Sequence, residues 1–341
     1  MPAVLSKIST PTINVCHSAS SLPCGVWNAF KSDPRNSNII YSHALRATQA
    51  AESSANDEHL EVWIICSTGD EIDFVLSCTH HAMGEYPIFI FCARPCSDLV
   101  PSFVVPRIQL LANALHSCVD VERVYSVFAL DLVSRIFADT WSHLAQVRYY
   151  HEPYYAAKIT FCTRRTLRVR KFTTLPDVSY DMRLAVASDI PATAKLCYGF
   201  ASEAVPFVLT MEQATKEATL LTSRKQLWVH TIEALNKPSE IASIVAVTRE
   251  SETVAAITKV YTNPDWRSRR CAERLVRNVT QNLLKTKESV VLYVAHNNPA
   301  ASKVYDRVGF AGLAGSSLPV NGVDSWLEVG FDRDMIDLGH W

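Results

Sequence analysis

Residues 260–276 read V-Y-T-N-P-D-W-R-S-R-R-C-A-E-R-L-V, and this stretch is the most informative part of the chain. Its pattern predicts a strand, then a polar loop rich in arginine, then the start of a helix. A second stretch, at residues 298–310, reads N-P-A-A-S-K-V-Y-D-R-V-G-F and predicts a helix that begins at Asn298, carries Tyr305 and ends before a turn at Gly309. A strand that enters a helix through a basic loop creates an anion site, because free backbone N–H groups and the positive end of the helix dipole meet there.

The C-terminal half around these stretches has a regular order of predicted elements. Two strands just before the basic loop are expected to form an antiparallel pair, and Thr210 is expected to cap a helix. In chain order we expect a strand at 182–187, a helix after Ser188-Asp189, a helix at 210–223, strands at 227–232, 240–247 and 253–261, a helix from 271 to 285, a strand at 290–294, a helix after Asn298 and a strand at 326–331.

This order of elements, with the basic loop, Asn298 and Tyr305 in place, resembles the acyl-CoA-binding half of the GNAT superfamily of N-acetyltransferases. The resemblance spans residues 182–331. It implies an α/β (α+β) fold class with the mixed sheet of the GNAT fold, and acetyl-CoA or another acyl-CoA as co-substrate. The C-terminal half also resembles fungal GNAT proteins in which a degenerate N-terminal domain precedes the active one, which favours a small-molecule acceptor over a histone.

The N-terminal half also has an α/β pattern, and we place the domain boundary so that residues 1–175 form one domain and residues 176–341 the other. This half is either a second, degenerate copy of the GNAT-like fold or a separate α/β domain. Its order of elements favours a second copy, whereas the absence of a phosphate-binding loop sequence after Cys92 favours a separate domain. The patterns predict strands at 61–66, 73–78 and 87–92, a helix at 106–116, a strand at 121–129, a helix at 130–144 and a strand at 155–165.

The resemblance implies an acyl-CoA site made of three parts. The end of the strand before the basic loop would align the pantetheine arm and the thioester, the loop would hold the pyrophosphate, and the last helix would complete the site. The residues of these parts are Val260, Tyr261 and Thr262, then Arg267, Ser268, Arg269, Arg270, Cys271 and Ala272, then Asn298 and Tyr305.

The loop departs from the family pattern Gln/Arg-x-x-Gly-x-Gly/Ala at one position. Arg267 fits the first position and Ala272 the last, whereas Arg270 stands where the middle glycine is expected. Glycine lets the backbone approach a phosphate without a Cβ in the way. The arginine therefore either adds charge and phosphate contacts or fills the space that the ligand needs.

Two residues are candidates for catalysis. By resemblance Tyr305 would protonate the leaving thiolate, and the alternative is a core aromatic on an amphipathic helix. The strand before the loop has no carboxylate to act as general base, since Thr258 and Lys259 stand where one is expected. His230 is a substitute, although a lone histidine on a strand is more often structural, and Glu203 and Glu240 are others.

The leading hypothesis is an enzyme that moves an acetyl or other acyl group from acyl-CoA to an amine of a small molecule by direct attack on the thioester. One alternative is a catalytically silent protein of the same fold that binds a ligand or partner. Another is an enzyme of the same fold with non-acetyl chemistry on a natural product. The substitution at Arg270 and the missing carboxylate are the features that favour the alternatives.

Composition and motifs restrict the remaining classes. With 341 residues, 48% hydrophobic, and a net charge of −1, the chain is expected to bury a sizeable core and gives no basic balance for a nucleic-acid partner. We expect no membrane span, no secretory signal and a cytoplasmic location, where the ten cysteines, none in a C-x-x-C pair, stay reduced. No metal site is expected, because His80-His81 has no third ligand at useful spacing. Motifs for nucleophilic hydrolases, nucleotidases and dinucleotide binding are absent.

Overall fold

The structure is a computed structural model that describes residues 10–53, 61–169, 178–234, 238–313, 315 and 319–340. Its internal contacts divide the chain into two compact units. Unit 1 runs to Tyr155 and takes in Trp326 onwards, and unit 2 is Ala156–Ser325. The boundary expected after residue 175 lies within 170–177, outside the described residues.

Unit 1 has one sheet with helices packed on it. Ile88–Cys92 and Ser126–Leu130 are buried along their whole length, as expected of sheet strands covered on both faces. The strands are β1 (Pro11–Cys16), β2 (Val62–Thr68), β3 (Glu71–Cys78), the two-residue β4 (His80–His81) and β5 (Gly84–Glu85), β6 (Ile88–Cys92), β7 (Ser126–Leu130) and β14 (Ser325–Gly330). The helices are α1 (Cys24–Ser32), α2 (Asn38–Ser53), α3 (Pro101–His116) and α4 (Asp131–Ala145). The main sheet has the order β1-β2-β3-β6-β7-β14.

Two predicted boundaries in unit 1 were wrong. The helix expected from Pro106 begins one turn earlier at Pro101, because proline needs no N–H partner in a first turn, and Pro106 lies inside the helix. The strand expected from Val121 begins at Ser126, because Val121–Arg123 forms a 3-10 turn.

The strands of unit 2 pair in both parallel and antiparallel senses. These strands are β8 (Tyr155–Thr163), β9 (Val178–Leu184), β10 (Leu227–Ala234), β11 (Glu240–Glu250), β12 (Val254–Thr262) and β13 (Ser289–Ala295), in the sheet order β8-β13-β12-β11-β10-β9. The helices of unit 2 are α5 (Ile190–Ser202), α6 (Met211–Ser223), α7 (Cys271–Leu283) and α8 (Pro299–Val308). The expected capping role of Thr210 is confirmed, since its hydroxyl accepts from the Gln213 N–H at 3.1 Å.

The sheet of unit 2 lies between two helical layers. Alternation along β11 turns Val245 and Val247 towards the core shared with α7 and α8. Ile244 and Ala246 point to the opposite face and pack in the core shared with α5 and α6. Both faces of the strand are therefore buried, and α7 reaches the sheet from the side away from α5.

Two strands belong to units other than those expected from the sequence. β8 was expected to end the first domain, but it pairs antiparallel with β13 of unit 2, with Val291 opposite Phe161. β14 was expected to end the second domain, but it pairs antiparallel with β7 of unit 1, with Glu328 opposite Phe128. Hydrophobic patterns identify a strand but not its neighbour, so they could not show this exchange.

Candidate functional site

The parallel strands β12 and β13 separate along their length. They pair only from Val254–Ala256 to Ser289–Val291, whereas β12 continues beside β11 to Thr262. The β11–β12 register shifts near Thr248, whose hydroxyl lies 3.0 Å from that of Thr258. Bulges of this kind bend a strand and are frequent beside active sites. The last residues of β12 therefore have no strand partner on the β13 side within the described residues.

The backbone of β12 offers two residues to a ligand in this gap. Asn263 donates its N–H to the carbonyl of Ala242 at 3.0 Å, which makes these two a hydrogen-bonded pair. Because hydrogen-bonded and non-hydrogen-bonded pairs alternate, Tyr261 also pairs with β11, while the main-chain groups of Val260 and Thr262 point away from it. Of the three predicted strand residues, Val260 and Thr262 can pair with an extended ligand through the backbone and Tyr261 cannot.

The basic loop carries two left-handed residues. Ser268 has φ 63° and Arg270 has φ 58°, a region that costs an L-residue roughly 1–2 kcal/mol. Arg270 is also the residue before the first turn of α7, and it has no side-chain capping bond. The position where the family pattern has glycine thus keeps a backbone that suits glycine, although arginine occupies it.

The first turn of α7 has backbone donors for an anion. The backbone N–H of Arg274 donates to the backbone carbonyl of Arg270 at 3.1 Å, and this bond closes the first turn. The N–H groups of Cys271, Ala272 and Glu273 precede this bond and have no acceptor within the helix. Together with the helix dipole, these groups favour a phosphate at this end.

Two of the three loop arginines have side-chain partners in the structure. Arg267 donates to Glu203 at 2.8 Å, and its guanidinium carbon lies 5.3 Å from the centre of the Tyr261 ring. Arg269 lies 4.7 Å above the Trp266 ring. Arg270 is exposed. The predicted loop residues therefore lie together at the carboxyl end of β12, with Glu203 pairing the first arginine.

Asn298 lies at the same edge of the sheet as the basic loop. Tyr305 is buried in the core beside it. Because β12 and β13 are parallel, the basic loop and the start of α8 both follow carboxyl ends of strands. Asn298 is exposed and caps α8 by accepting from the Ala301 N–H at 2.9 Å. The Tyr305 ring is buried 5.8 Å from that of Phe310, and burial raises the pKa of its phenol well above the usual value.

His230 lies away from solvent on β10. It is 0% exposed, and neither ring nitrogen has a hydrogen-bond partner among the described residues. Burial lowers the pKa of His230 to about 4, and Arg274 adds to this effect. Its ring contacts that of Tyr180 edge-on at 5.3 Å. An acceptor amine cannot reach this side chain in the structure, so the geometry does not favour His230 as the general base.

An ion pair on β12 was missed by the sequence analysis. The carboxylate oxygens of Glu217, on α6, accept hydrogen bonds from the Lys259 ammonium at 2.6 and 2.7 Å. The Glu217 side chain is 14% exposed and that of Lys259 10%. The Lys259 ammonium also lies 4.8 Å from the centre of the Phe200 ring. The charge of Lys259 on the strand is thus balanced by a carboxylate on a helix. The available signal was a glutamate between Ala214 and Leu221, on the apolar face of α6.

The corresponding region of unit 1 has a different character. Helix α3 begins with Pro101, which has no N–H, and acidic Asp98 lies just before it. Arg94, at the end of β6, is held by the buried carboxylate of Asp73 at 2.8 Å. These residues present no set of donors for a phosphate.

Membrane spans and metal sites are both absent from the described residues. No helix in that part of the chain is long and apolar enough to cross a membrane. No group of three or more histidine, cysteine, aspartate or glutamate side chains there has the arrangement of a metal site.

Comparisons with known proteins agree with this architecture. Residues 238–316 match the family model described as FR47-like protein, so the match includes β11, β12, the basic loop, α7, β13 and α8. A tandem GNAT protein from the clavulanic acid biosynthesis pathway is 8% identical, with TM-score 0.50 over 94% of this chain and 98% of that chain. The chain has a tandem GNAT fold. Unit 1, with its strand, two helices and further strands before α3, is the first GNAT-like copy, and unit 2 is the second.

Two other solved structures are similar over almost the whole tandem GNAT chain. A GCN5-related N-acetyltransferase from Sphaerobacter thermophilus is 13% identical, with TM-score 0.52 over 96% of this chain and 98% of that chain. A Drosophila protein is 11% identical, with TM-score 0.58 over 94% of this chain and 98% of that chain. A search of curated proteins found no match. Identities this low support the fold and leave the substrate to be inferred from the site.

Proposed function

We propose that this tandem GNAT protein transfers an acetyl or other acyl group from acyl-CoA to an amine of a small molecule, with unit 2 as the active copy. The observation that carries the proposal is the basic loop at the start of α7, placed at the edge where β12 and β13 separate. A gap between parallel strands gives room for a pantetheine arm, and the helix start beside it favours a pyrophosphate. Unit 1 lacks these donors at α3.

Each part of the site would have a separate task. The backbone groups of Val260 and Thr262 would pair with the pantetheine amides and align the thioester. The first turn of α7, with the Arg269 side chain and the backbone of Arg270, would hold the pyrophosphate, and Arg267 would join them by exchanging Glu203 for a phosphate oxygen. Asn298 fixes the start of α8 and so the position of Tyr305.

In the reaction, the amine nitrogen forms a bond to the thioester carbonyl carbon and the carbon–sulfur bond breaks. Tyr305 would give its proton to the leaving thiolate, and the proton lost by the nitrogen would pass to solvent. A tyrosine phenol, with an ordinary pKa of about 10, is protonated at neutral pH and can act as an acid. We therefore expect Tyr305→Phe to lower kcat while leaving the affinity for acetyl-CoA nearly unchanged. A variant with wild-type kcat would remove Tyr305 from the mechanism.

Calorimetric titration with acetyl-CoA tests the donor site. We expect the wild type to bind, and Arg270→Gly to bind at least as tightly because it removes a Cβ from the loop. Binding restored only in Arg270→Gly would mean that the arginine closes the site. Failure of both proteins to bind would overturn the proposal.

A further inference from the structure

We propose that the acyl acceptor is an amine with an apolar body, whose nitrogen pairs with Glu203 and whose apolar part covers Val205, Val208 and Met211. These three side chains are called the acceptor patch. The inference rests on the acyl transfer proposed above and adds the chemical class of the acceptor.

The first observation is a concentration of exposed apolar side chains. Among the described residues, ten large apolar side chains are exposed, and four of them lie within residues 198–211. In the acceptor patch, Val205 is 64% exposed, Val208 58% and Met211 45%. Grouped exposed apolar side chains mark binding surfaces, whereas single ones are common on any protein. This short connection between α5 and α6 is therefore a candidate for binding an apolar ligand.

The second observation is the place of this connection relative to the donor site. The end of α5 lies against the end of β12, since a Cβ at Gly199 would lie 2.7 Å from the Tyr261 hydroxyl. Phe200, the next residue, lies under the Lys259 ammonium at 4.8 Å. Glu203 then reaches Arg267 of the basic loop at 2.8 Å. The acceptor patch begins two residues later in the chain, directly after the residue that contacts the basic loop.

The third observation is the charge at the edge of the patch. The Glu203 side chain is 60% exposed, and the structure pairs it with Arg267. A pyrophosphate at the basic loop competes for Arg267, because guanidinium groups make strong bidentate contacts with phosphate. Glu203 would then be left to attract a cation. A carboxylate beside an exposed apolar surface is complementary to an amine that carries an apolar body.

The test uses three probes of equal carbon number on the CoA-loaded protein. These are octylamine, 1,8-diaminooctane, which has no apolar end, and octanoate, which has the opposite charge. By calorimetry we expect octylamine to bind about tenfold or more tightly than diaminooctane, and octanoate to show no saturable binding. The Val205→Ser/Val208→Ser variant should weaken octylamine about tenfold and leave diaminooctane unchanged. Glu203→Gln should weaken both amines.

A matched control is available in unit 1. Met335 and Leu338 have the same spacing as the two valines and are 46% and 42% exposed. Met335→Ser/Leu338→Ser should leave all three titrations unchanged. Circular dichroism of every variant would confirm that the fold is intact.

Several outcomes would overturn the inference. Equal affinity for the two amines, or unchanged octylamine binding in the valine variant, would exclude an apolar-bodied amine at the patch. A dimer that the valine variant dissociates in sedimentation would show that a second copy covers the patch. Absence of CoA binding by the wild type would instead count against the proposed function, and octylamine titration of Arg267→Ala, in which Glu203 has lost its arginine partner, would then still decide the patch.

Discussion

At the scale of single residues, the basic loop holds Arg270 in a backbone conformation that suits glycine. The family pattern predicts glycine at position 270, and the sequence alone left open whether arginine adds charge or blocks the site. The structure gives Arg270 the left-handed φ of 58° that glycine adopts without cost. The conformation of the loop is thus set by its neighbours and by α7, and arginine is strained to fit it.

Replacing Arg270 by glycine should therefore stabilise the protein. Relief of the left-handed conformation raises the free energy of unfolding by roughly 1–2 kcal/mol. The extra conformational freedom of glycine in the unfolded chain lowers it again in part, so the net increase is about 0.5–1 kcal/mol. Thermal unfolding would show this as a higher Tm. Arg269→Gly is the matched control, since Arg269 is not among the described residues with positive φ. Its Tm should fall, and a fall in both variants would contradict the strain at Arg270.

His230 should make stability depend on pH. Burial lowers the pKa of His230 to about 4 in the folded protein, against an unfolded value of about 6.5. Between these values the unfolded chain binds a proton that the folded chain does not, so stability falls as pH decreases from 6.5 to 4, by up to ~3 kcal/mol. His81 has a similar lowered pKa and adds its own loss.

Urea unfolding at pH 7.5 and pH 5 measures this effect. His230→Leu should lose less stability than the wild type on acidification, because one of the two imidazoles with a lowered pKa is gone. The exposed His143 provides the control, and His143→Leu should follow the wild type. Identical pH dependence in wild type and His230→Leu would show that His230 does not titrate in this way.

At the scale of elements, local signals predicted most helices and strands of unit 2, because each carries its own cap or apolar period. The helix after Thr210 and the strand before the basic loop are examples. What local signals could not give is the contact of one element with another. The ion pair of Glu217 with Lys259 joins α6 to β12, and the sequence shows two separate charges whose approach depends on packing.

Breaking this ion pair should cost stability. Glu217→Ala leaves the Lys259 ammonium largely buried without its carboxylate, and loss of one partner of such a pair costs about 3 kcal/mol. Denaturant unfolding measures the loss. The double variant Glu217→Met/Lys259→Met should recover most of it, because an apolar pair of similar volume needs no charge compensation. A loss below about 1 kcal/mol in the single variant would place the pair among solvated surface bridges.

At the scale of the whole molecule, the chain has two GNAT-like copies, and each includes a strand from the far side of the sequence midpoint. Strand β14 comes from the C-terminal end and completes the sheet of unit 1. Strand β8 follows unit 1 in sequence and belongs to the sheet of unit 2. A division into two continuous domains is the simplest reading of the sequence, and it fails here because strand pairing is a long-range property.

Truncation should reveal the exchange. Removal of residues 325–341 takes β14 away from β7, which then becomes an edge strand and also loses the 2.7 Å hydrogen bond from Ser126 to Glu328. Hydrogen exchange of the amides in Ser126–Leu130 should increase strongly, while β12 and α7 keep their protection. A chain ending at residue 331 is the control. Unchanged exchange in β7 after the longer truncation would contradict the assignment of β14 to unit 1.

The exchanged strand also has a consequence for synthesis. A ribosome releases the N-terminal residues of unit 1 early, but β14 leaves the exit tunnel only after the residues of unit 2 have left it. Until then β7 has an open edge, and the nascent unit 1 must avoid pairing with other chains. All residues of unit 2, from 156 to 325, emerge before the last part of unit 1. Synthesis of unit 1 therefore begins before that of unit 2 and is completed after it.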